Sequence, residues 1–133
     1  MKIIIGLVYA CSSTLVFNPA YANKIYCPKV IFTQQKLQTP VPTWEIFAVD
    51  PKTVHNLSGV IFYAHHPDEN AKLAPTHRKA YKLTWNFSGD EIWLACTYLN
   101  TDIKLIKKLK LTTSACVVKY AANFNEVIAI ECS

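Results

Sequence analysis

Glycine is scarce in this 133-residue chain, three residues in all, and the scarcity removes several functions at once. A phosphate-cradling loop needs closely spaced glycines, and none is present. Nor is there a Gly-x-Ser-x-Gly elbow to present a nucleophilic serine. Repeats and low-complexity tracts are also missing, which points to one compact domain. An uninterrupted apolar run of about 20 residues, the length a membrane-spanning helix needs, is absent too. The longest candidate, Ile3 to Phe17, is broken by Cys11, Ser12, Ser13 and Thr14.

That run fits an export leader instead. Met1-Lys2 supplies a positive start, and Ala20-Tyr21-Ala22 gives the small-x-small pattern that signal peptidases cut after. The expected layout is a signal peptide over 1–22 and one β-rich domain over 23–133, with the mature protein periplasmic or secreted. Val8-Tyr9-Ala10-Cys11 imitates a lipidation box poorly, because Tyr9 is bulky and few apolar residues precede it. Loss of the leader leaves 13 basic against 9 acidic side chains, a net charge of +4. Such a charge attracts lipid head groups, cell-wall polymers or acidic proteins. Nucleic acid is not an expected partner, since the aromatic residues lie in alternating strand patterns and not beside basic clusters.

In an oxidising compartment the four remaining cysteines pair. Which pair is a question of strand register. Ala115 to Ala121 and Glu126 to Cys132 are β-rich runs joined by the turn-prone Asn123-Phe124-Asn125. Setting Val118 opposite Ile130 sets Tyr120 opposite Ile128 and Cys116 opposite Cys132, within disulfide reach. Cys27 would then pair with Cys96, although four cysteines allow three connectivities.

A second alternation runs through Tyr81, Leu83, Trp85 and Phe87, followed by Ser88-Gly89-Asp90-Glu91 and a strand from Ile92 to Leu99. Read as a hairpin with Gly89 and Asp90 in the turn, it opposes Phe87 with Ile92, Trp85 with Leu94, Leu83 with Cys96 and Tyr81 with Tyr98. Trp93 falls on the other face, which is therefore expected to be covered locally. Val30 to Thr33, Trp44 to Val49 and Gly59 to Ala64 are further strand candidates. Ile103 to Leu111 fits a strand or a helical stripe, and the neighbouring strands favour a strand. Together these elements predict an all-β, antiparallel sandwich or barrel-like domain with two disulfides.

Chemistry is sparse. His65, His66, Asp68 and Glu69, with His77 and Arg78 beyond them, hold ligand-type side chains but lack metal-ligand spacing, so no metal and no cofactor is expected. The segment reads better as a polar loop that touches a partner. Asp68/Glu69 and Asp90/Glu91 are adjacent pairs in turns, unlike the separated carboxylates of a glycosidase; no catalytic residue is expected and the protein reads as a non-enzyme. Lys104, Lys107, Lys108 and Lys110 form the densest charge feature. They suit protection of an edge strand first, a reading compatible with attraction of an anion.

Several short segments carry a resemblance: Cys27-Pro28, Pro42-x-Trp44, Leu57-Ser58-Gly59-Val60, Leu73-x-Pro75, Trp85, Trp93-Leu-x-Cys96-x-Tyr98 with Thr101, Cys116-x-Val118-x-Tyr120 and the terminal Cys132. With them the chain resembles a family of small, mostly uncharacterised exported proteins of Gram-negative bacteria, some near type VI secretion genes. The resemblance implies a periplasmic, disulfide-bonded, non-catalytic immunity or inhibitor protein that blocks a cell-wall-acting toxin or enzyme. Its +4 charge favours an acidic target, because a strongly basic lysozyme would repel it. The alternative is a module for anionic envelope lipid or glycan that contacts a membrane surface without spanning it. Where the family leads one to expect a glycine-containing turn after Val60, this chain has His65-His66-Pro67.

Overall fold

The computed structural model describes residues 22–48, 52–89 and 91–133. The expected leader up to Tyr21, Cys11 included, lies outside the described residues, and so does Asp90. Ten strands succeed one another: β1 (Asn23–Ile25), β2 (Val30–Gln34), β3 (Lys52–Ala64), β4 (Lys72–Leu73), β5 (His77–Lys79), β6 (Lys82–Asn86), β7 (Ile92–Tyr98), β8 (Lys104–Lys108), β9 (Ala115–Tyr120) and β10 (Val127–Cys132). The only helical turn among the described residues is a short 3-10 turn, Pro67–Glu69. One sheet runs β1-β10-β9-β6-β5, and the other runs β2-β3-β7-β8 with β4 added to β3. Every pairing is antiparallel. The fold is all-β, two sheets curled over one core, as the sequence predicts.

The core is the inward alternation of both sheets. Val60 and Phe62 of β3 and Leu94 and Cys96 of β7 face Leu83 and Trp85 of β6 and Cys116 and Val118 of β9. Phe62 is fully buried and bridges the layers, with ring centroids 4.8 Å from Trp85 and 5.5 Å from Phe87. The Trp85 indole N–H would be costly to bury unpaired; it donates to the Leu73 carbonyl at 3.0 Å. His55 is the one buried polar side chain among the described residues. Its Nδ1–H donates to the Leu99 carbonyl and its Nε2 hydrogen-bonds the Thr33 hydroxyl, both at 2.7 Å, so both ring nitrogens are partnered.

The C-terminal hairpin forms with the expected register at Cys116–Cys132 and Val118–Ile130, then departs from it. A bulge inserts Ile128, so Tyr120 pairs with Val127, and Ile128 stands 59% exposed. Both disulfides are those expected, Cys27–Cys96 and Cys116–Cys132, with Cα separations of 5.8 and 4.1 Å. Ala115 and Ser133 exchange both backbone hydrogen bonds. Cys116 and Cys132 therefore occupy the next, non-hydrogen-bonded pair, where opposing Cα atoms come closest.

The hairpin expected at Gly89-Asp90 does not form. β6 pairs with β5 and β9, and β7 pairs with β3 and β8, so the two strands lie in different sheets. Their apolar sides do face the same core, across the sandwich and not side by side. Alternation reports which face is buried, and it is blind to whether the apolar neighbour is lateral or opposite. Gly89 still takes the positive φ, 90°, expected of it. The tight turn sits elsewhere: Lys79 pairs with Lys82 around Ala80-Tyr81, and Ala80 adopts φ 50° without being glycine. Tyr81 thus precedes β6, 47% exposed, and not in the core position that the alternation suggests.

The other strands match the sequence unevenly. Val30 to Thr33 appears as β2, and Ile103 to Leu111 contributes the edge strand β8. Gly59 to Ala64 is only the second half of a 13-residue strand. A bulge at Ser58 lets both Leu57 and Val60 turn inward and breaks the period of two. Trp44 to Val49 is not a strand: residues 44 to 48 are exposed and irregular, and Val49 lies outside the described residues.

The bridges close loops of very different length, with separations of 69 and 16 residues. Replacing Cys27 and Cys96 together with Ser is expected to cost about 4 kcal/mol, and replacing Cys116 and Cys132 about 3 kcal/mol. Urea unfolding of the two double variants against wild type measures both losses and their order.

Candidate functional site

The histidine segment breaks into parts. His65 takes a left-handed φ of 66° and donates its N–H to the Glu91 carbonyl at 2.8 Å. His66 caps the 3-10 turn. Its Nδ1 lies 2.8 Å from Asp68 Oδ1, and its ring meets Trp93 edge-on at 4.8 Å. Trp93 lies on the outer face of β7, opposite Tyr63 of β3 and Lys108 of β8, so His66 covers it as the sequence leads one to expect. The Trp93 indole N–H donates to Glu91 Oε1 at 2.7 Å, and Lys108 Nζ stands 3.4 Å from the same oxygen. The indole hydrogen bond, the largest cause, holds the Glu91 carboxyl below its usual range against an opposing desolvation, and Lys108 and then His65 lower it further. Glu69 is exposed on the same turn.

His77 and Arg78 do not join this cluster. They lie on β5, the edge of the other sheet, opposite Thr84 and Leu83. The Arg78 guanidinium lies 5.5 Å from the Phe124 ring, which itself packs against Tyr81 and Tyr120 at 5.8 and 5.6 Å. The Tyr120 phenol is pushed up by burial, partly offset by its hydrogen bond to the Val60 backbone.

The lysines of 104–110 divide as well. On edge strand β8, Lys104 and Lys108 lie on the outer face with Thr97 and Trp93, whereas Lys107 lies opposite Leu94, on the core side. All five β8 residues are exposed. Lys107, Lys108 and Lys110 meet Lys24 of β1 at a cavity of about 250 Å³ that Asn23 and Thr113 also line. A cleft lined by four lysine residues suits an anion, although the Lys108 ammonium already stands beside Glu91.

The largest apolar exposure sits where the sequence suggests a strand. In the segment between β2 and β3, Trp44 is 77%, Ile46 68% and Phe47 87% exposed, with Leu37 and Val41 about half so. Together these five and Glu45 line a shallow cavity of about 390 Å³. Several large apolar side chains left exposed together are unusual on a folded domain and make this segment a candidate contact surface. Two signals in the sequence point there: Pro40 and Pro42, which disfavour a central strand, and aromatic residues next to Glu45 without a polar alternation.

Among the described residues no group of three or more His, Cys, Asp or Glu is placed to hold a metal, and no helix is long and apolar enough to cross a membrane. The arrangement provides contact surfaces: an apolar loop, a capped histidine turn over Trp93, and a cationic cleft. Residues 51–133, more than half of the chain, match the family described as Type VI secretion system Tli immunity protein. No curated protein and no solved structure matches the chain.

Glu91 offers a direct check on the outer face of β7. A carboxyl whose folded-state pKa is depressed contributes stability above its unfolded value and loses it as pH falls through the folded one. Carboxyl NMR titration is expected to place the Glu91 midpoint below the usual glutamate range, and Trp93→Phe, which removes the indole donor, is expected to move it back up. An unchanged midpoint in the variant would contradict the assigned cause.

Proposed function

The chain belongs to the type VI secretion system Tli immunity protein family, and from that premise we propose that it is a non-catalytic periplasmic protein that blocks a cell-wall-acting toxin by binding it. Periplasmic residence is supported by the two disulfides, which persist in oxidising compartments, and by the expected leader. The observation that carries the binding mode is the exposed apolar segment Leu37 to Phe47. Those side chains add nothing to the core, yet they supply the aromatic anchors on which protein interfaces depend. His65, His66, Asp68, Glu69, His77 and Arg78 are assigned to polar contacts away from that segment, since it leaves β2 beside Lys52 whereas His65 follows the far end of β3 and His77 and Arg78 lie on the other sheet, and the net positive charge to attraction of an acidic toxin.

A second reading is favoured by one observation, the convergence of Lys24, Lys107, Lys108 and Lys110 on a single cleft. It would make the protein a module for anionic envelope lipid or glycan.

Affinity capture with the mature protein from envelope extract, coupled to mass spectrometry, separates the two. One stoichiometric enzyme, inhibited on binding, is expected. Trp44→Ala and Phe47→Ala are each expected to weaken that complex by about 2 kcal/mol or more, while stability changes stay within about 0.5 kcal/mol because both side chains are exposed. Retention of lipid or glycan alone, lost when Lys107, Lys108 and Lys110 become Ala or when salt is raised, would favour the second reading.

A further inference from the structure

Antiparallel pairing brings three lysines into one lateral row on the outer face of the β1-β10-β9-β6-β5 sheet. Lys79 of β5 pairs with Lys82 of β6, and Lys82 pairs with Lys119 of β9. Their inward-facing neighbours on β6 and β9, Leu83 and Val118, are buried, so the row points away from the core. Side chains directly opposite one another have Cβ atoms only about 5 Å apart, and like charges in that position repel. Among the described residues a single carboxylate answers the row, Glu131 Oε1, 4.0 Å from Lys119 Nζ.

The repulsion has a groove beside it. Lys79, Lys82 and Lys119, together with Tyr81, Tyr120 and Ile128, line a cavity of about 470 Å³ that is open to solvent. Ile128 is there because the β10 bulge displaces it from the expected pairing with Tyr120 and leaves it exposed. Tyr81 is there because the Ala80 turn ends the strand before it. Two departures from regular pairing thus set apolar surface next to three under-neutralised ammonium groups.

Resting on the immunity reading above, we infer that this groove receives an acidic segment of the toxin, with carboxylates on the lysine row and an aliphatic side chain against Ile128 and Tyr81. The charge complementarity is local. A partner carboxylate entering between Lys79 and Lys119 relieves a repulsion that the free protein carries.

That relief makes the test specific, because one substitution has opposite effects on folding and on binding. Lys82→Glu places a carboxylate between two lysines, so its melting temperature is expected to stay level or rise, which excludes misfolding as the reason for lost binding. Binding is read in two ways. In a ¹H–¹⁵N titration of the mature protein with the peptide Glu-Leu-Glu-Leu-Glu, the amides of Lys82, Lys119 and Tyr120 are expected to shift and saturate, and not to do so in Lys82→Glu. With the enzyme captured from envelope extract, association at low salt is expected to slow on the order of tenfold in the variant. Capture by Lys82→Glu at the wild-type rate, or peptide shifts confined to the Lys107–Lys110 cleft, would overturn the groove and leave the immunity reading standing. A wild-type protein that captures no enzyme while phosphatidylglycerol vesicles shift the same amides would overturn both.

Discussion

The bond between Cys27 and Cys96 fixes the seam on which the sandwich depends. Cys27 sits in no strand. It lies in the link where the chain leaves β1, at one edge of the first sheet, to enter β2, at one edge of the second. Cys96 is in the middle of β7, an inner strand of the second sheet, and points into the core. Their bond holds the start of the domain against its centre across 69 residues of chain. A domain of this size is held by a margin of about 5–15 kcal/mol, so one crosslink worth about 4 kcal/mol decides much of it. With β1 held in place, β10 has a partner beyond its own hairpin, and the first sheet keeps five strands.

How far the sequence reveals this fold depends on what each residue pattern can encode. Where two strands are joined by a short link and carry cysteines, register is legible, and the runs themselves imply Cys116–Cys132 with Val118–Ile130. Where apolar residues alternate on two successive strands, only the buried face is legible. Leu83, Trp85, Leu94 and Cys96 are all in the core, yet nothing in their order says that β6 and β7 belong to different layers. Bulges and the tight turn are hidden for a related reason. Ser58, Ile128 and Ala80 are not the residues that usually announce a bulge or a positive φ, and each turns the residues beyond it onto another face.

The candidate surfaces are legible in type and not in grouping. His65, His66 and Asp68 do form a local unit, because a proline-led turn draws His66 onto Asp68 and Trp93. His77 and Arg78 are only nine to thirteen positions on, yet β4 and the turn before β5 carry them to the edge of the other sheet. The lysines of β8 separate by pleat: neighbours in sequence face opposite sides, and only the return of the chain past β1 gathers Lys107, Lys108 and Lys110 with Lys24. The segment Trp44 to Phe47 imitates a strand for a simpler reason. Aromatic and β-branched residues are what both a buried strand and a partner-binding loop contain, and composition alone does not tell them apart.

That ambiguity bears on how such a protein can work. A protein that must hold a partner tightly needs apolar surface that its own fold leaves uncovered, and a core of buried Phe62, Leu94, Val118 and Trp85 is able to spare Trp44, Ile46 and Phe47 because the crosslinks carry part of the stability. Edge strands normally make such exposure hazardous, since unpaired strands recruit copies of themselves. Here three edges are defended by lysines: β8 carries Lys104, Lys107 and Lys108, β5 ends in Lys79, and β1 holds Lys24. The same positive charges that discourage a second copy of this basic chain would complement the acidic partner proposed above. On the reading proposed above, selectivity for the foreign partner over self would arise from one charge distribution, with the sulfur bridges supplying rigidity to a fold that leaves the apolar loop exposed.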